Sequence, residues 1–187
     1  MDTALNFILT ELNSYFSASS SVQESAVVLS GLANPDGSVP LAINNKIVLT
    51  LVNIEKETAM GTTGFIPRMG AGFGRSNPTL YLNVYVLVSA SFTNYSTGLR
   101  RLNQSIGFFQ SKPSFTAQNS VAFPAGFELL TMELVSLSMA ELSTLWAVLG
   151  ANYLPSAVYK LRMATVQNEW ITEPVPAITQ AASNLGS

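Results

Sequence analysis

Two residue types that carry much of protein chemistry are missing from this sequence of 187 residues, which contains no cysteine and no histidine. The lack of cysteine rules out disulfide bonds and thiolate metal sites. The lack of histidine removes the commonest metal ligand and the usual general base near neutral pH. Since most familiar hydrolase mechanisms depend on these groups, we expect a protein that is not an enzyme and that binds no cofactor.

Charge is also scarce, because charged residues make up 11% of the chain and hydrophobic residues 48%, whereas ordinary soluble domains carry about 25% charged residues. The formal net charge of −2 offers no basic footprint, so we expect no nucleic-acid partner. No apolar run approaches the roughly 18 residues of a membrane-spanning helix, so we expect no direct membrane insertion. We infer that something other than water covers part of the surface.

The N-terminal stretch has no basic region ahead of its apolar residues, so it does not resemble a secretory signal. We therefore expect the chain to fold in the cytoplasm.

A glycine-rich stretch, "GAGFGRS" at 70–76, resembles a nucleotide-binding loop at first sight. The dinucleotide fingerprint fails, however, because its third glycine position falls on Arg75, and a Walker loop fails because no lysine lies nearby. The β-branched and aromatic residues that follow predict a strand, not the required helix. We interpret 58–78 as an unpatterned loop that becomes ordered against a partner; the alternative is a small-ligand binding module that uses this loop.

Hydrophobic periodicity predicts a single domain of the α/β (α+β) class over residues 1–167. The sheet is expected to be mixed, mostly antiparallel, with about four strands packed by helices. Helices are predicted within 1–16, 95–113 and 139–150. The third helix is expected to begin with a capping box of Ser138 and Glu141 and to end at Gly150. Strands are predicted within 47–54, 80–92, 126–138 and 156–167, and the strand within 156–167 is expected to be the final one.

The remaining residues, 168–187, are rich in proline, alanine and serine. Pro174 and Pro176 are expected to prevent regular pairing, which predicts an extended C-terminal arm.

Few side chains of this sequence are candidates for catalysis or for ligand binding. Glu55 and Glu57 lie two apart on a predicted strand, and we interpret them as a solvated strand end beside Lys56, with an acid–base or metal pair as the alternative. Trp146 is interpreted as a core residue; the alternative is an aromatic pocket formed with Tyr153.

Seven residues are predicted to bind partners. Two interpretations are open for Arg100 and Arg101: a plain exposed helix face, or contact with a carboxylate of a partner, since guanidinium groups favour bidentate pairs with carboxylates at interfaces. The other five lie in the glycine-rich segment and in the C-terminal arm: Arg68, Arg75, Ile171, Val175 and Ile178.

Ordered blocks of the sequence carry a family resemblance. Upstream blocks are "LVNIEKE", "PTLYLNVYVLVSASF" and "LRRLNQSIGFFQSKPSF". In the block "LTMELVSLSMAELSTLWAVLGANYLPSAVYKLRM", the matching positions are Leu145, Trp146, Gly150, Tyr153, Pro155, Ser156, Tyr159, Lys160 and Arg162. Over about 1–167, the sequence resembles the cap or tail-terminator proteins of extracellular contractile injection systems, of the antifeeding-prophage and virulence-cassette type.

This resemblance implies a phage tail-terminator-like domain that forms a homo-hexameric ring on the distal end of the inner tube. Its partners would be the inner tube protein and the sheath protein, whose polymerisation the ring would end. The resemblance brings no catalytic residues, and it places the chain in a particle that is assembled in the cytoplasm and then released or kept anchored. Two alternatives stay open: the small-ligand module, and a carboxylate-dependent hydrolase that uses Glu55 and Glu57.

Overall fold

The computed structural model describes residues 1–19, 26–57, 68–69, 72–76, 82–165 and 171–175. The helices are α1 (Asp2–Ser19), α2 (Tyr95–Ser111) and α3 (Met139–Leu149), and a 3₁₀ turn covers Leu41–Ile43. In chain order, the strands are β1 (Val27–Leu29), β2 (Lys46–Lys56), β3 (Arg68–Met69), β4 (Gly72–Ser76), β5 (Leu82–Ser91), β6 (Ser114–Phe115), β7 (Phe127–Val135), β8 (Ser156–Thr165) and β9 (Ile171–Val175). Within these residues, no helix is long and apolar enough to cross a membrane.

The main sheet has six strands in the order β1-β2-β5-β8-β7-β6. β1 runs parallel to β2, and every other neighbouring pair in this sheet is antiparallel. The four strands predicted from the sequence are the four central ones, so the predicted mixed, mostly antiparallel sheet packed by helices is confirmed. The sheet has six strands, whereas the sequence predicts about four. The two additional strands, β1 and β6, are too short to show a period in the sequence.

One face of this sheet packs against α1 and α2. Val84, Val86 and Val88 of β5 lie in this apolar layer, as the alternation of side chains along a strand requires. At one edge of the sheet, the ring of Phe7 in α1 meets Phe115 of β6, with 5.6 Å between the ring centres. Near the other end of α1, Asn13 accepts a hydrogen bond from the backbone N–H of Val27 in β1. Helix α1 therefore crosses the sheet from one edge to the other.

The opposite face packs against α3. Trp146 is buried and joins Val48, Leu87 and Val158 in a second apolar cluster. The interpretation of this tryptophan as a core residue is therefore confirmed.

A capping box begins α3, as the sequence predicts. The backbone N–H of Ser138 donates to Glu141 Oε2 at 2.8 Å, and the backbone N–H of Glu141 donates to Ser138 Oγ at 3.3 Å. These hydrogen bonds from the backbone and side chain of Ser138 lower the pKa of the Glu141 carboxyl. The helix ends at Gly150, whose φ of 62° is the left-handed conformation that glycine adopts most easily.

Replacing Ser138 with alanine is expected to lower the free energy of unfolding by about 1 kcal/mol, because a backbone N–H at the start of α3 loses its acceptor. Ser143→Ala, at an exposed position of the same helix, is the matched control and is expected to change stability little. Urea denaturation of the two variants measures the difference. Equal midpoints for both would contradict a stabilising role for the capping box.

Strands β3, β4 and β9 form a second sheet in the order β3-β4-β9. The segment 58–78, predicted to lack regular structure, thus contains two strands. In the C-terminal segment, β9 pairs antiparallel with β4 and places Pro174 opposite Gly74. The prediction that Pro174 prevents regular pairing is therefore wrong, and β8 is not the final strand. A proline is tolerated here because β9 lies at an edge, where a missing N–H need not face a neighbouring strand. Pro176 lies outside the described residues.

Candidate interaction surfaces

An ion-pair network crosses the face of the main sheet that carries α3. Arg162 of β8 donates from Nη2 to Glu57 Oε2 at 2.9 Å and from Nη1 to Glu133 Oε1 at 3.2 Å. Lys160 Nζ lies 3.5 Å from the other oxygen of Glu133. Hydrogen bonds to Glu57 and Glu133 raise the pKa of the Arg162 guanidinium. The network therefore joins β8 and β7 to Glu57, the residue that follows β2, through paired charges.

The interpretation of Glu55 and Glu57 as a solvated strand end is wrong for Glu57, whose side chain is only 12% exposed. Glu55 belongs to a separate set of contacts, in which its carboxylate accepts hydrogen bonds from Asn53 Nδ2 at 3.2 Å and from Tyr85 Oη at 3.0 Å. Burial, followed by the hydrogen bond to Glu55, raises the pKa of the Tyr85 phenol. Both carboxylates thus accept hydrogen bonds from neighbouring side chains, which suits a structural role better than proton transfer.

A groove of about 510 Å³ lies between α3 and the main sheet. Its lining is mostly apolar and includes two carboxylates, Glu55 and Glu141, but neither lysine nor arginine. Since the hydrogen bonds from Ser138 lower the pKa of Glu141, this carboxylate stays ionised at neutral pH. Among the described residues, no group of three or more acidic side chains is placed to hold a metal ion. The groove is therefore an apolar cleft with an acidic rim.

Three large apolar side chains are exposed outside the groove. Met139 at the start of α3 is 80% exposed and Val148 near its end is 79% exposed, and Leu41 of the 3₁₀ turn is more exposed still. Tyr153 packs edge-on against Trp146, with 5.4 Å between the ring centres, so the two rings contact each other. Exposed apolar side chains of this size are candidates for contact with a partner.

The two adjacent arginines of α2 have different surroundings. Arg101 is half-buried, with its guanidinium 5.1 Å from the centre of the Phe16 ring and Nη1 3.4 Å from Gln104 Oε1. Arg100 is exposed on the outer side of the helix and makes no salt bridge to any residue in the described part of the chain. Of the two, Arg100 is thus the one available to a partner.

The other predicted partner-binding residues fall largely in the second sheet. Arg68 lies in β3, Arg75 in β4, and Ile171 and Val175 in β9, whereas Ile178 lies outside the described residues. In the register of β4 and β9, Arg75 is opposite Glu173 and Phe73 is opposite Val175. The structure thus brings together two segments that the sequence treats separately. The glycines of β4 and Pro174 of β9 hide this pairing in the sequence, because both residue types argue against a strand.

The groove was not found from the sequence, because its residues come from β2, β5, β7, β8 and α3. One local signal was available: α3 contains a single charged residue, Glu141, which is already used by the capping box. A helix with so few charges on its outer side indicates contact with another surface.

Comparison with protein families gives a match over residues 3–180 to the family described as the Pvc16 N-terminal domain. Among curated proteins, none matches the sequence.

Two solved structures share the fold. One is the cryo-EM structure of the anti-feeding prophage cap, a tube-terminating cap, with a TM-score of 0.59 and 11% sequence identity over 98% of this chain. The other is the cryo-EM structure of the PVC sheath/tube terminator in its extended state, with a TM-score of 0.58 and 11% identity over 100% of this chain. The chain spans 60% of the length of the first protein and 63% of the second.

Proposed function

The chain belongs to the Pvc16 N-terminal domain family, and from this membership we propose that it is a structural cap protein of a contractile injection system. It binds as a homo-hexameric ring to the distal end of the inner tube and sheath and ends their polymerisation. The observation that carries this proposal is the family match over 3–180, together with a fold shared with a tube-terminating cap and a sheath/tube terminator.

The surface of the chain supports this role. Its exposed apolar side chains include Leu41, Met139 and Val148, and in a charge-poor protein such a surface favours contact with other protein subunits. A closed cyclic ring buries such surfaces without open-ended growth. The particle is assembled in the cytoplasm and is then released or kept anchored.

The small-ligand alternative has less support. A glycine loop that binds phosphate needs backbone N–H groups free to face the ligand. In this chain β4 pairs with β3 on one side and with β9 on the other. The hydrolase alternative is also weakened, because Glu57 is paired with Arg162.

Particles produced without this chain are expected to have tubes and sheaths of irregular or excessive length, because nothing ends polymerisation at the distal end. Electron microscopy of particles made with and without the gene measures the length distributions. Supplying the gene from a plasmid is the control and should restore a narrow distribution. Identical distributions with and without the chain would contradict the cap function.

The ring itself is tested by the mass of the purified protein. Light scattering should give about six times the 20.0 kDa of one chain, either alone or after addition of the tube protein. A chain that stays monomeric under both conditions would contradict the proposed ring.

A further inference from the structure

The groove between α3 and the sheet requires a particular kind of occupant. Val52, Val135 and Leu145 contribute apolar side chains to its lining, and Glu55 and Glu141 supply its negative charge. Neither carboxylate forms a salt bridge with a described lysine or arginine. An occupant that fits this groove must therefore offer an apolar surface with at least one cation.

The outer side of α2 on the same chain has this composition. Tyr95 is 65% exposed and Leu99 43% exposed, and the two lie one turn apart on one side of the helix, with the exposed Arg100 next to Leu99 on the outward side. Tyrosine and arginine are enriched in protein interfaces, where an aromatic ring and a guanidinium bury area and pair with carboxylates. This α2 surface, formed by Tyr95, Leu99 and Arg100, is thus complementary to the groove in polarity and in charge.

The two surfaces lie on opposite faces of one sheet, since α2 packs on the layer of Val84 and Val86 and α3 on the layer of Leu87. The α2 surface of a chain therefore cannot reach its own groove. A second copy supplies it in a head-to-tail contact, and such contacts close into a ring when the rotation between neighbours is right.

We propose that the groove between α3 and the sheet receives the α2 surface of a second copy of this chain, with Arg100 of that copy between Glu55 and Glu141. This inference rests on the proposed ring and identifies the contact that holds neighbouring subunits together. It makes the groove a subunit interface and not a binding site for the tube, the sheath or a small molecule.

Disulfide trapping tests the contact directly, because the chain contains no cysteine of its own. Asn103→Cys places a thiol on the outer side of α2, and Thr144→Cys places one in the groove. The double variant is expected to form covalent multimers on mild oxidation, and each single variant is not. The control pair combines Asn103→Cys with Val121→Cys, a fully exposed position outside the groove. Equal cross-linking of the control pair, or multimers from Asn103→Cys alone, would overturn the proposal.

Charge reversal gives a second test that does not need cysteine. Arg100→Glu is expected to raise the concentration needed for half-assembly by roughly tenfold or more, because it places like charges together. Adding Glu55→Lys to Arg100→Glu should recover much of this loss. The control is Lys56→Glu, an exposed cation that alternation places on the other face of β2 from Glu55. If Arg100→Glu assembles like the Lys56→Glu variant, the proposal fails.

Labelling of the Thr144→Cys thiol identifies the occupant. The thiol should be protected in the ring formed by the chain alone. If the ring is already formed and the thiol becomes protected only after addition of tube or sheath protein, the groove belongs to that partner and the proposal is overturned. A ring that forms without the predicted cross-link contradicts only this contact, whereas a chain that never forms a ring also contradicts the ring in the proposed function.

Discussion

Replacing Phe109 with alanine is expected to lower the free energy of unfolding by about 3–5 kcal/mol, as for other buried aromatic residues. Phe109 is 1% exposed in the layer between α2 and the main sheet. Its ring centre lies 4.9 Å from that of Tyr159 and 5.2 Å from that of Phe108. Burial in this layer raises the pKa of Tyr159 to about 12. The variant leaves a cavity that these packed rings cannot fill without moving the helix.

Chemical denaturation at a fixed protein concentration measures this effect, since association would otherwise change the apparent stability. The midpoint should fall, while the dependence on denaturant stays the same. Val121→Ala removes an apolar side chain that is fully exposed and is expected to change the free energy by less than about 0.5 kcal/mol. A Phe109→Ala variant as stable as Val121→Ala would show that α2 does not pack on the sheet through this residue.

Such core positions were accessible from the sequence because they follow a local period. The alternation of Val84, Val86 and Val88 predicts the buried face of β5, and helical spacing predicts that Leu99, Leu102, Ile106 and Phe109 share the inward face of α2. The structure buries the three valines, Leu102 and Phe109, and Ile106 packs on the core as a half-buried residue. Leu99 is 43% exposed, so the prediction is wrong for that residue. The capping box and Gly150 depend only on neighbouring residues and were also predicted. The resemblance to cap proteins is confirmed by the family match.

Elements that depend on distant partners were missed. β1 is three residues long and β6 two, so neither shows a period. β9 pairs with β4 although almost one hundred residues separate them, and Pro174 in β9 argues locally against any strand. Only the position of β9 at a sheet edge removes that objection. A sequence pattern shows which side chains of a strand share a face, but it does not show which other strand pairs with it.

Prediction of the candidate interaction surfaces from the sequence is limited in the same way. Glu57 and Glu55 looked equivalent in the sequence, but Glu57 meets Arg162, 105 residues away, whereas Glu55 meets Tyr85 and faces the groove. Arg100 and Arg101 also looked equivalent in the sequence, but in the helix Arg100 is exposed on the outer side, whereas Arg101 lies over the ring of Phe16. Which member of each pair can reach a partner is therefore decided by tertiary packing.

Two glycines of α2 are expected to respond in opposite directions to the same substitution. Gly98 is buried where α2 meets the end of β5, and a Cβ added there would lie 3.3 Å from Phe92 Cβ and 3.6 Å from Ala90 Cβ. Gly107 is exposed, with no atom within 4 Å of an added Cβ. Gly98→Leu is therefore expected to destabilise the protein by about 1–3 kcal/mol through overpacking. Gly107→Leu should stabilise it by about 0.5–1 kcal/mol, because glycine is a poor helix former.

Urea denaturation measures the free energy of unfolding of both variants. The two leucines gain the same helix propensity, so the difference between these free energies reflects the close approach of α2 to β5. That difference should be about 1.5 kcal/mol or more, the sum of the overpacking at one site and the gain at the other. Two variants that are stabilised equally would mean that α2 has room to move away from Phe92 and Ala90. Because α2 also carries the proposed subunit contact at Arg100, a shift of the helix in Gly98→Leu should weaken ring assembly as well.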